Sequence, residues 1–464
     1  MSKQDNLTDF LVDVADAIRE KKGSTEKINP QNFSDEIKNL PSGSTEVEEK
    51  DVNFYDYDGT LLFSYTIPEA QALTELPTPK GHSGLIFDGW NWDYEDVIAL
   101  DYPMNIGAMY RTDDGKTRLY LKVEEPTSIS LSFKNNDTGT VTVDFGDGEV
   151  VETSETTPVL PHRYEVGEYV LRISGTKQLV CNYTNKDNIF GTIAGQRPIL
   201  CKVEIGDNFS VQSYVFSYCM NLETITYPSK TGVYTAWSSS TFYSCVSLKW
   251  INVTKNTSSL SYQVLVKCIN LRSMTVPKTF NNISNNAEYA GFTKLALPDT
   301  FSGTFVLGRS NIRRFRVPNG VINMSNAFQG CATLEEMDEP SSITTRIPQA
   351  YASCTSLAKL SLSAGAGIIQ NSLFNGSVNL RDVTFKGEIT SIGNSAFMSC
   401  ACLGVLDFTK NTAVPTLDNI NAFSYCDCQF IVPDNLYDEW IAATNWSTYA
   451  DRIVKASEYQ PNNE

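Results

Sequence analysis

Histidine is nearly absent from this chain, which has only His82 and His162 among 464 residues. Most forms of histidine-based catalysis and most histidine-ligated metal sites are therefore not expected. No stretch approaches the roughly 18 consecutive apolar residues of a bilayer-spanning helix, so no membrane insertion is expected. Basic residues are also in deficit, with 37 Lys and Arg against 54 Asp and Glu and a net charge of −17. Because such a charge repels phosphate, nucleic acid is not an expected partner.

Signals for export and for catalysis are missing as well. Residues 1–6 lead directly into an acidic, periodic segment without a basic stretch and an apolar core, so we expect no secretory signal. Residues 115–117 resemble the end of a phosphate-binding loop, but Tyr110 stands where that loop requires glycine. No spacing favours a particular set of catalytic residues, so we expect neither enzyme activity nor a cofactor.

The N-terminal segment, residues 1–42, is predicted to be helical. Phe10, Leu11, Val14 and Ile18 recur at steps of three and four residues and form one apolar stripe. So short a segment cannot bury that stripe by itself, and we expect it to attach the protein to a partner. The polar, partly acidic residues 41–51 then predict a linker.

From residue 52 the pattern changes to short strands separated by turns. Residues 51–122 contain the hairpin signal Asp58-Gly59 and, later, Gly89-Trp90. With these motifs they resemble the β-grasp-like repeat of internalin and Bacteroidales surface proteins. The resemblance implies a small β module.

A second β module is predicted over residues 123–176. Its Gly-Asp-Gly turn at 146–148 needs a permissive backbone, and Tyr169, Leu171 and Ile173 alternate as one buried strand face. The segment is similar to a polycystic-kidney-disease-type β-sandwich, although it is shorter and has Val143 where many members have tryptophan. Both β modules are expected to act as spacers.

The strongest signal in the sequence is a repeat that begins near residue 194. One unit is defined by Phe216, Cys219, Leu222 and Ile225, so that an apolar residue or a cysteine stands at every third position. The first position recurs with a mean period of 23 residues, which lies in the range of leucine-rich repeats. Its ten members are Phe216, Phe242, Leu265, Asn286, Val306, Phe328, Tyr351, Phe374, Phe397 and Phe423.

Seven of the eleven cysteines fall on the second position of the repeat. Tyr289, Arg309 and Ser377 stand there in the other units. Cysteine is a small, easily buried apolar residue, so we expect these thiols to be buried and reduced, and no metal. A four-thiolate zinc site formed by Cys400, Cys402, Cys426 and Cys428 is the weaker alternative, because their 26-residue offset equals one repeat length. The seven repeat cysteines are Cys219, Cys245, Cys268, Cys331, Cys354, Cys400 and Cys426.

This repeat resembles the BspA-like leucine-rich repeat over residues 190–433, down to Ala-Phe pairs such as Ala327-Phe328. The resemblance implies a solenoid in which each unit buries one layer on its neighbour. Residues 434–464, with Trp440 and Trp446, look like the helical cap of such an array. The predicted fold is multidomain and mostly β: short N-terminal helices, two small β modules, and a BspA-like leucine-rich-repeat solenoid with a C-terminal helical cap.

The strand face of the solenoid is the predicted binding surface. Ten strands about 4.8 Å apart would span roughly 45 Å, enough for a macromolecular ligand. Because aromatic and arginine side chains dominate binding hot spots, the expected ligand contacts are Trp250, Lys294, Arg313, Arg314 and Arg316. Trp250 and Arg314 are expected to be exposed. The alternative is a solvated face on which Trp250 packs sideways.

An adhesive solenoid without an export signal predicts a protein that leaves the cell by lysis. The N-terminal segment also resembles the start of many phage tail proteins. We therefore expect a phage virion surface protein, a tail or head fibre, that contacts other virion proteins through its N-terminus and a host surface glycan or protein through its solenoid. Self-association is left open. The alternative is a bacterial or protozoan cell-surface adhesin of the BspA-like type; a polysaccharide-degrading enzyme is a more distant third.

Overall fold

From Lys50 onward the regular structure of the described residues is mostly short β-strands, which are joined by turns and irregular segments. The computed structural model describes residues 47–135, 139–175, 178–179, 189–190, 199–206, 210–211, 213–229, 236–237, 239–283, 289–324, 327–365 and 367–460. The predicted attachment residues Phe10, Leu11, Val14 and Ile18 lie outside these ranges. Residues Lys50–Glu464 form one unit, so the β modules and the solenoid pack together.

The first β module contains a four-stranded sheet and two short helices. The sheet has the order β2-β1-β4-β3, with a parallel central pair β1–β4 and antiparallel outer pairs. Phe54, Trp90 and Ile106 lie in its core. The first helix begins with a capping box between Thr66 and Glu69, which satisfies two backbone N–H groups. The elements are β1 (Val52–Tyr55), β2 (Leu61–Tyr65), α1 (Ile67–Gln71), β3 (Leu85–Trp90), α2 (Tyr94–Val97) and β4 (Met104–Thr112).

The second β module shares its sheets with the start of the solenoid. One sheet has the order β14-β12-β5-β10-β7-β8 and the other the order β13-β11-β6-β9. The solenoid strand β12 pairs antiparallel with β5 and parallel with β14, so the module continues into the first repeat without a break. The strands are β5 (Thr117–Val123), β6 (Thr127–Lys134), β7 (Val141–Asp144), β8 (Val150–Thr153), β9 (Val159–Tyr164), β10 (Gly167–Ser174), β11 (Gln178–Leu179), β12 (Leu200–Glu204), β13 (Ser210–Val211) and β14 (Thr224–Thr226).

The Gly-Asp-Gly turn of this module has the backbone that the sequence predicts. Gly146 and Gly148 have φ values of 82° and 105°. A Cβ atom on Gly146 would lie 2.6 Å from the carbonyl oxygen of Val170, so the turn needs glycine for space as well as for conformation. Leu171 and Ile173 are buried on the same strand face, as expected, whereas Tyr169, predicted to share this buried face, is only partly buried.

The solenoid adds parallel strands in two series. Strands β14, β16, β18, β20, β22, β24, β26, β28 and β29 follow one another along one side, and their outward surface is called the strand face below. The shorter strands form the other side. The strands are β15 (Ala236–Trp237), β16 (Trp250–Asn252), β17 (Ser259–Leu260), β18 (Ser273–Thr275), β19 (Asn323–Met324), β20 (Glu336–Asp338), β21 (Thr345–Arg346), β22 (Lys359–Leu362), β23 (Ile368–Ile369), β24 (Asp382–Phe385), β25 (Ser391–Ile392), β26 (Val405–Asp407), β27 (Thr416–Leu417), β28 (Gln429–Val432) and β29 (Ile453–Lys455).

Rings and thiols hold successive turns of the solenoid together. The rings of Tyr351 and Phe374 stack with centroids 5.8 Å apart, and similar contacts join other neighbouring turns. The Cys354 thiol donates a hydrogen bond to the carbonyl of Phe328 in the preceding turn, at 3.1 Å. Ser377 makes the equivalent bond at 2.8 Å. The cysteine position therefore holds a small, buried side chain, which in most of the described turns donates to a carbonyl of the preceding turn.

Two degenerate turns differ from the expected register. Ala290 and Ser310, both buried, occupy the cysteine position, whereas the sequence pattern assigned Tyr289 and Arg309 to it. The Ser310 hydroxyl lies 3.5 Å from the Cys331 sulfur, which fixes this alignment. These turns are one residue shorter between the cysteine and leucine positions. A repeat read at equal spacing from the sequence therefore puts the missing residue at the wrong place in the turn.

The predicted helical cap closes the last turn. Trp440 and Trp446 are fully buried with ring centroids 4.6 Å apart, and Trp440 packs on Phe408. The Trp446 indole donates to the carbonyl of Pro415 at 2.8 Å. The cap consists of α3 (Tyr437–Ala442) and 3₁₀ turns at Asp434–Leu436 and Trp446–Arg452.

Candidate functional site

The first β module lies on the strand face of the early repeats. Strand β4 of the module packs across β14, β16 and β18. The two parts approach closely at Gly107, where a Cβ atom would lie 2.1 Å from the Thr275 hydroxyl oxygen. Glycine is thus required for this contact, and this part of the face is filled by the chain itself.

A buried polar network joins the module to the solenoid. The Asn252 amide donates to the carbonyls of Ala108, at 2.9 Å, and Asp56, at 3.2 Å. The Asn91 amide donates in the other direction, to the carbonyl of Val253 at 3.0 Å and to the Thr275 hydroxyl at 3.1 Å. Satisfied amide groups of this kind fix one relative position, because any displacement would leave buried donors without acceptors.

Ion pairs surround this network. Lys278 Nζ lies 2.6 Å from a carboxylate oxygen of Asp96, and Lys255 pairs with Asp93. The backbone N–H and the hydroxyl of Ser229 both donate to Asp88. The interface thus has a neutral polar centre and a charged edge.

The expectation that Trp250 is exposed is wrong. Its side chain packs on Tyr55 with ring centroids 4.6 Å apart, and the residue is 4% exposed. The indole N–H donates to the side-chain oxygen of Asn252 at 2.7 Å. In this arrangement Trp250 anchors the first module and cannot contact an external ligand.

Lys294 also contacts the first module. Its ammonium group donates to the Tyr55 hydroxyl at 2.8 Å and lies 4.9 Å from the centre of that ring. The predicted ligand contacts Trp250 and Lys294 are therefore brought together, but around a side chain of the same protein.

The three predicted arginines lie at the edge of the surface that the first β module covers. Arg313 and Arg314 are exposed, as expected for Arg314, and each pairs with a glutamate of the next repeat, Glu335 and Glu336. Arg316 is half-buried: it pairs with Asp299 and its guanidinium lies 4.5 Å from the centre of the Tyr102 ring. Arg316 thus contacts the first module, while Arg313 and Arg314 face solvent.

Beyond the module the strand face forms an open groove of about 740 Å³. Opposite charges alternate along it. Arg314 pairs with Glu336 at 3.1 Å, and Lys386 lies 2.6 Å from an Asp338 oxygen on the same surface. Its charged lining residues are Arg314, Arg316, Glu336, Asp338, Glu339, Lys359 and Lys386.

A fully buried ion pair lies beneath this groove. The Arg346 guanidinium binds both carboxylate oxygens of Glu339, and neither side chain is exposed. The Tyr351 hydroxyl and the backbone N–H of Ser363 also donate to Glu339, each at 2.9 Å. Lys386 connects the pair to the groove, because its ammonium group donates to the Glu339 carbonyl at 2.6 Å.

The seven repeat cysteines are all buried, as predicted. Burial raises the pKa of the Cys219 and Cys268 thiols to about 12. Cys402, a proposed zinc ligand, is instead exposed and lies 3.9 Å from the Asn379 amide oxygen. In the described part of the chain, no three His, Cys, Asp or Glu side chains come together as a metal site.

Residues 199–305 and 300–430 match the BspA type leucine rich repeat region, in six copies that together span half of the chain. The protein belongs to this family. The match covers the solenoid and not the β modules, whose likeness to internalin and polycystic-kidney-disease modules stays a prediction. No curated protein matches the chain in sequence.

Solved leucine-rich-repeat proteins resemble this family member distantly. A leucine-rich repeat protein from Bacteroides ovatus is 15% identical with a TM-score of 0.43, over 68% of this chain and 98% of the other. A leucine rich cell surface protein from Faecalibacterium prausnitzii is 16% identical with a TM-score of 0.34, over 65% and 89%. A leucine-rich repeat protein from Eubacterium ventriosum is 18% identical with a TM-score of 0.33, over 65% and 89%. Across the described residues, no helix of this BspA-type protein has the length and apolar character to cross a membrane.

Sequence reasoning missed the interface residues Asn91, Asn252 and Thr275. It also missed Trp92, whose indole N–H donates to the Val276 carbonyl at 2.7 Å. A signal for them exists in the outward strand positions. Trp250, Asn252, Ser273 and Thr275 occupy these positions in the early repeats, whereas charged residues occupy most of them from Arg314 onward. Uncharged outward residues in consecutive turns indicate a covered surface.

Proposed function

We propose that this BspA-type protein is a non-enzymatic, adhesin-like binding protein that holds a macromolecular surface component in the open groove of the strand face. The observation that carries this proposal is the division of that face. Its early part is filled by the first β module, and the part from Arg314 to Lys386 is left open, charged and set on a rigid stack of strands. A rigid surface binds with little ordering cost.

The groove suits a polar ligand of mixed charge, such as a surface glycan or a protein. Exposed ion pairs such as Arg314–Glu336 contribute only about 0–1 kcal/mol to stability, so a ligand group can replace one partner at small cost. Arginine then offers a planar set of donors for a carboxylate. The net charge of −17 opposes polyanions at long range, so recognition must be local and salt should weaken it.

A binding experiment with the full chain tests the groove. The double variant Arg314→Ala/Lys359→Ala is compared with wild type on an array of bacterial surface glycans, mucin glycans and matrix proteins. Hot-spot residues contribute about 1–3 kcal/mol each, so a probe that binds wild type should bind the variant at least tenfold more weakly. Arg163→Ala, which changes another largely exposed basic side chain on the second β module, is the control. Equal binding by all three proteins would refute the groove and favour the β modules at 51–176.

Two carriers are compatible with an adhesin of this type. We propose the phage virion first, attached through residues 1–42, because of the apolar stripe of Phe10, Leu11, Val14 and Ile18. The alternative is a bacterial or protozoan cell surface, which fits the BspA-type repeat equally well. If the virion is the carrier, a truncated variant that lacks residues 1–42 should fold but should no longer copurify with virions. Normal incorporation of the truncated chain would refute the attachment role, and recovery of the full chain with the envelope of uninfected cells would establish the alternative.

A further inference from the structure

One backbone position in every described turn of the solenoid is left-handed. It directly precedes the cysteine position, and its φ values lie between 58° and 78°. Its N–H donates to the next turn: that of Ser353, for example, donates to the Asn375 carbonyl at 2.8 Å. The hydrogen bond explains why the conformation is kept in each repeat. The ten residues are Tyr218, Ser244, Lys267, Tyr289, Arg309, Gly330, Ser353, Gly376, Ser399 and Tyr425.

Side chains at this position fall into two groups. One group is serine or glycine, which enters the left-handed region with a small side chain or none. Its members are Ser244, Gly330, Ser353, Gly376 and Ser399. Tyr218, Lys267, Tyr289 and Arg309 are long, and left-handed backbone is uncommon for bulky residues. Four of the five long residues lie in the first five turns, and the fifth, Tyr425, lies in the last turn. The serine and glycine turns show that the backbone hydrogen bond does not require a long side chain.

These side chains form one row of aromatic rings and cations. The rings of Tyr218 and Tyr243 are 5.4 Å apart, and Lys267 Nζ lies 5.4 Å from the centre of the Tyr243 ring. Further along, the Arg309 guanidinium lies 4.8 Å from the centre of the Tyr289 ring. Tyr218 is 43% exposed and Tyr289 is 38% exposed. The row runs across five turns, about 19 Å at the usual strand spacing, and does not include the lining residues of the groove.

We propose that this row, Tyr218, Tyr243, Lys267, Tyr289 and Arg309, binds an acidic polysaccharide. Flat tyrosine faces pack against the apolar faces of sugar rings, and the neighbouring Lys267 and Arg309 pair with their carboxylates. The repeat of the solenoid matches a polymer because each turn offers one more contact along a line. The local charges of Lys267 and Arg309 favour an acidic ligand over a neutral one at short range, against the long-range repulsion from the net charge of −17.

The test uses the full chain with serine at four positions: Tyr218→Ser, Lys267→Ser, Tyr289→Ser and Arg309→Ser. Because Ser244, Ser353 and Ser399 already occupy the equivalent position, the quadruple variant should fold, which a melting curve checks. The probes are oligogalacturonate and oligoalginate, each also in methyl-esterified form, together with polyglutamate. We expect wild type to bind the free acids and the quadruple variant to bind at least about tenfold more weakly, as loss of several hot-spot contacts implies.

Matched variants give the outcome its meaning. Tyr425→Ser removes the same residue type from the last turn and should leave binding unchanged. Tyr218→Phe/Tyr289→Phe keeps the rings and should bind like wild type, whereas esterified probes should bind weakly. Arg314→Ala/Lys359→Ala should not affect this site, which separates it from the groove. Equal binding by the quadruple variant, no binding of either free acid at millimolar concentration, or preference for polyglutamate would overturn the proposal.

Discussion

The early and late parts of the strand face have the same interior and opposite exteriors. In both parts an apolar strand residue points inward, and buried thiols such as Cys268 and Cys354 bond to the preceding turn. Outward, Trp250 and Asn252 are covered by the first β module, while Glu336 and Lys359 are exposed. The repeat pattern thus specifies the stack, and the outward residues specify whether another part of the chain covers it.

Removing the main anchor of the covered part should have the largest effect. Trp250→Ala leaves a cavity beside Tyr55 and removes the donor to Asn252, so we expect a loss of about 4 kcal/mol in the free energy of unfolding. Urea unfolding of the full chain measures it. A loss below about 1 kcal/mol would mean that the module does not depend on this face, and the comparison would fail.

Breaking the buried ion pair of the open part should rank next. Arg346→Ala leaves Glu339 buried without its partner and should cost about 3 kcal/mol in unfolding free energy. Arg346→Met/Glu339→Leu removes both charges and should recover much of that loss. If the double variant is as unstable as the single one, packing rather than charge accounts for the effect.

The shared interior predicts an equal alkaline response in both parts. The pKa of the Cys268 thiol is raised to about 12, and burial also raises the pKa of the Cys354 thiol well above its ordinary value. A raised pKa means that the folded state keeps a proton which the unfolded state loses. The stability is therefore complete below about pH 9 and is lost as pH rises toward 12.

Serine variants isolate this response. Between pH 8 and pH 10, Cys268→Ser and Cys354→Ser should each lose about 1 kcal/mol less unfolding free energy than wild type, because serine does not titrate. Ser377 shows that serine can make the same hydrogen bond. Urea unfolding at both pH values measures this difference in unfolding free energy. If the unfolding free energy of wild type and variants changes equally with pH, thiol titration is contradicted.

The smallest effect is expected at exposed charges of the open part. Arg314 is 74% exposed in its side chain, so Arg314→Ala should change the free energy of unfolding by no more than about 0.5 kcal/mol. Thermal melting of Arg314→Ala and Trp250→Ala, each compared with wild type, measures the difference between the open and the covered part. A large loss from Arg314→Ala would show that the open part also carries a structural contact.

Much of the fold could be predicted because the repeat is a local, periodic signal. The inward apolar positions and the burial of the thiols follow from the spacing of the repeat, whereas the tryptophan cap follows from the resemblance to BspA-like arrays. The register of Ala290 and Ser310 could not be predicted, since a single deletion in a degenerate unit can be placed at several positions without altering the period. The open position of Arg314 followed from strand alternation.

The covered surface could not be predicted from the same signal. Alternation tells which side chains point outward, but it does not tell what lies outside. Trp250 meets Tyr55 and Asn252 meets Ala108 through contacts between distant parts of the sequence, and no periodicity connects them. The uncharged character of these outward residues is the available sign, whereas the prediction of Trp250 as a ligand contact rests on its aromatic side chain.

The contact between Tyr55 and Lys294, 239 residues apart, also sets an order of events on the ribosome. At about 5–20 residues per second, the first β module, which ends near residue 122, is complete about 10 to 35 s before Lys294 has been translated. During that interval the side of the module around Gly107 has nothing to pack against. The newly made protein must therefore wait for its own later sequence before this surface is protected.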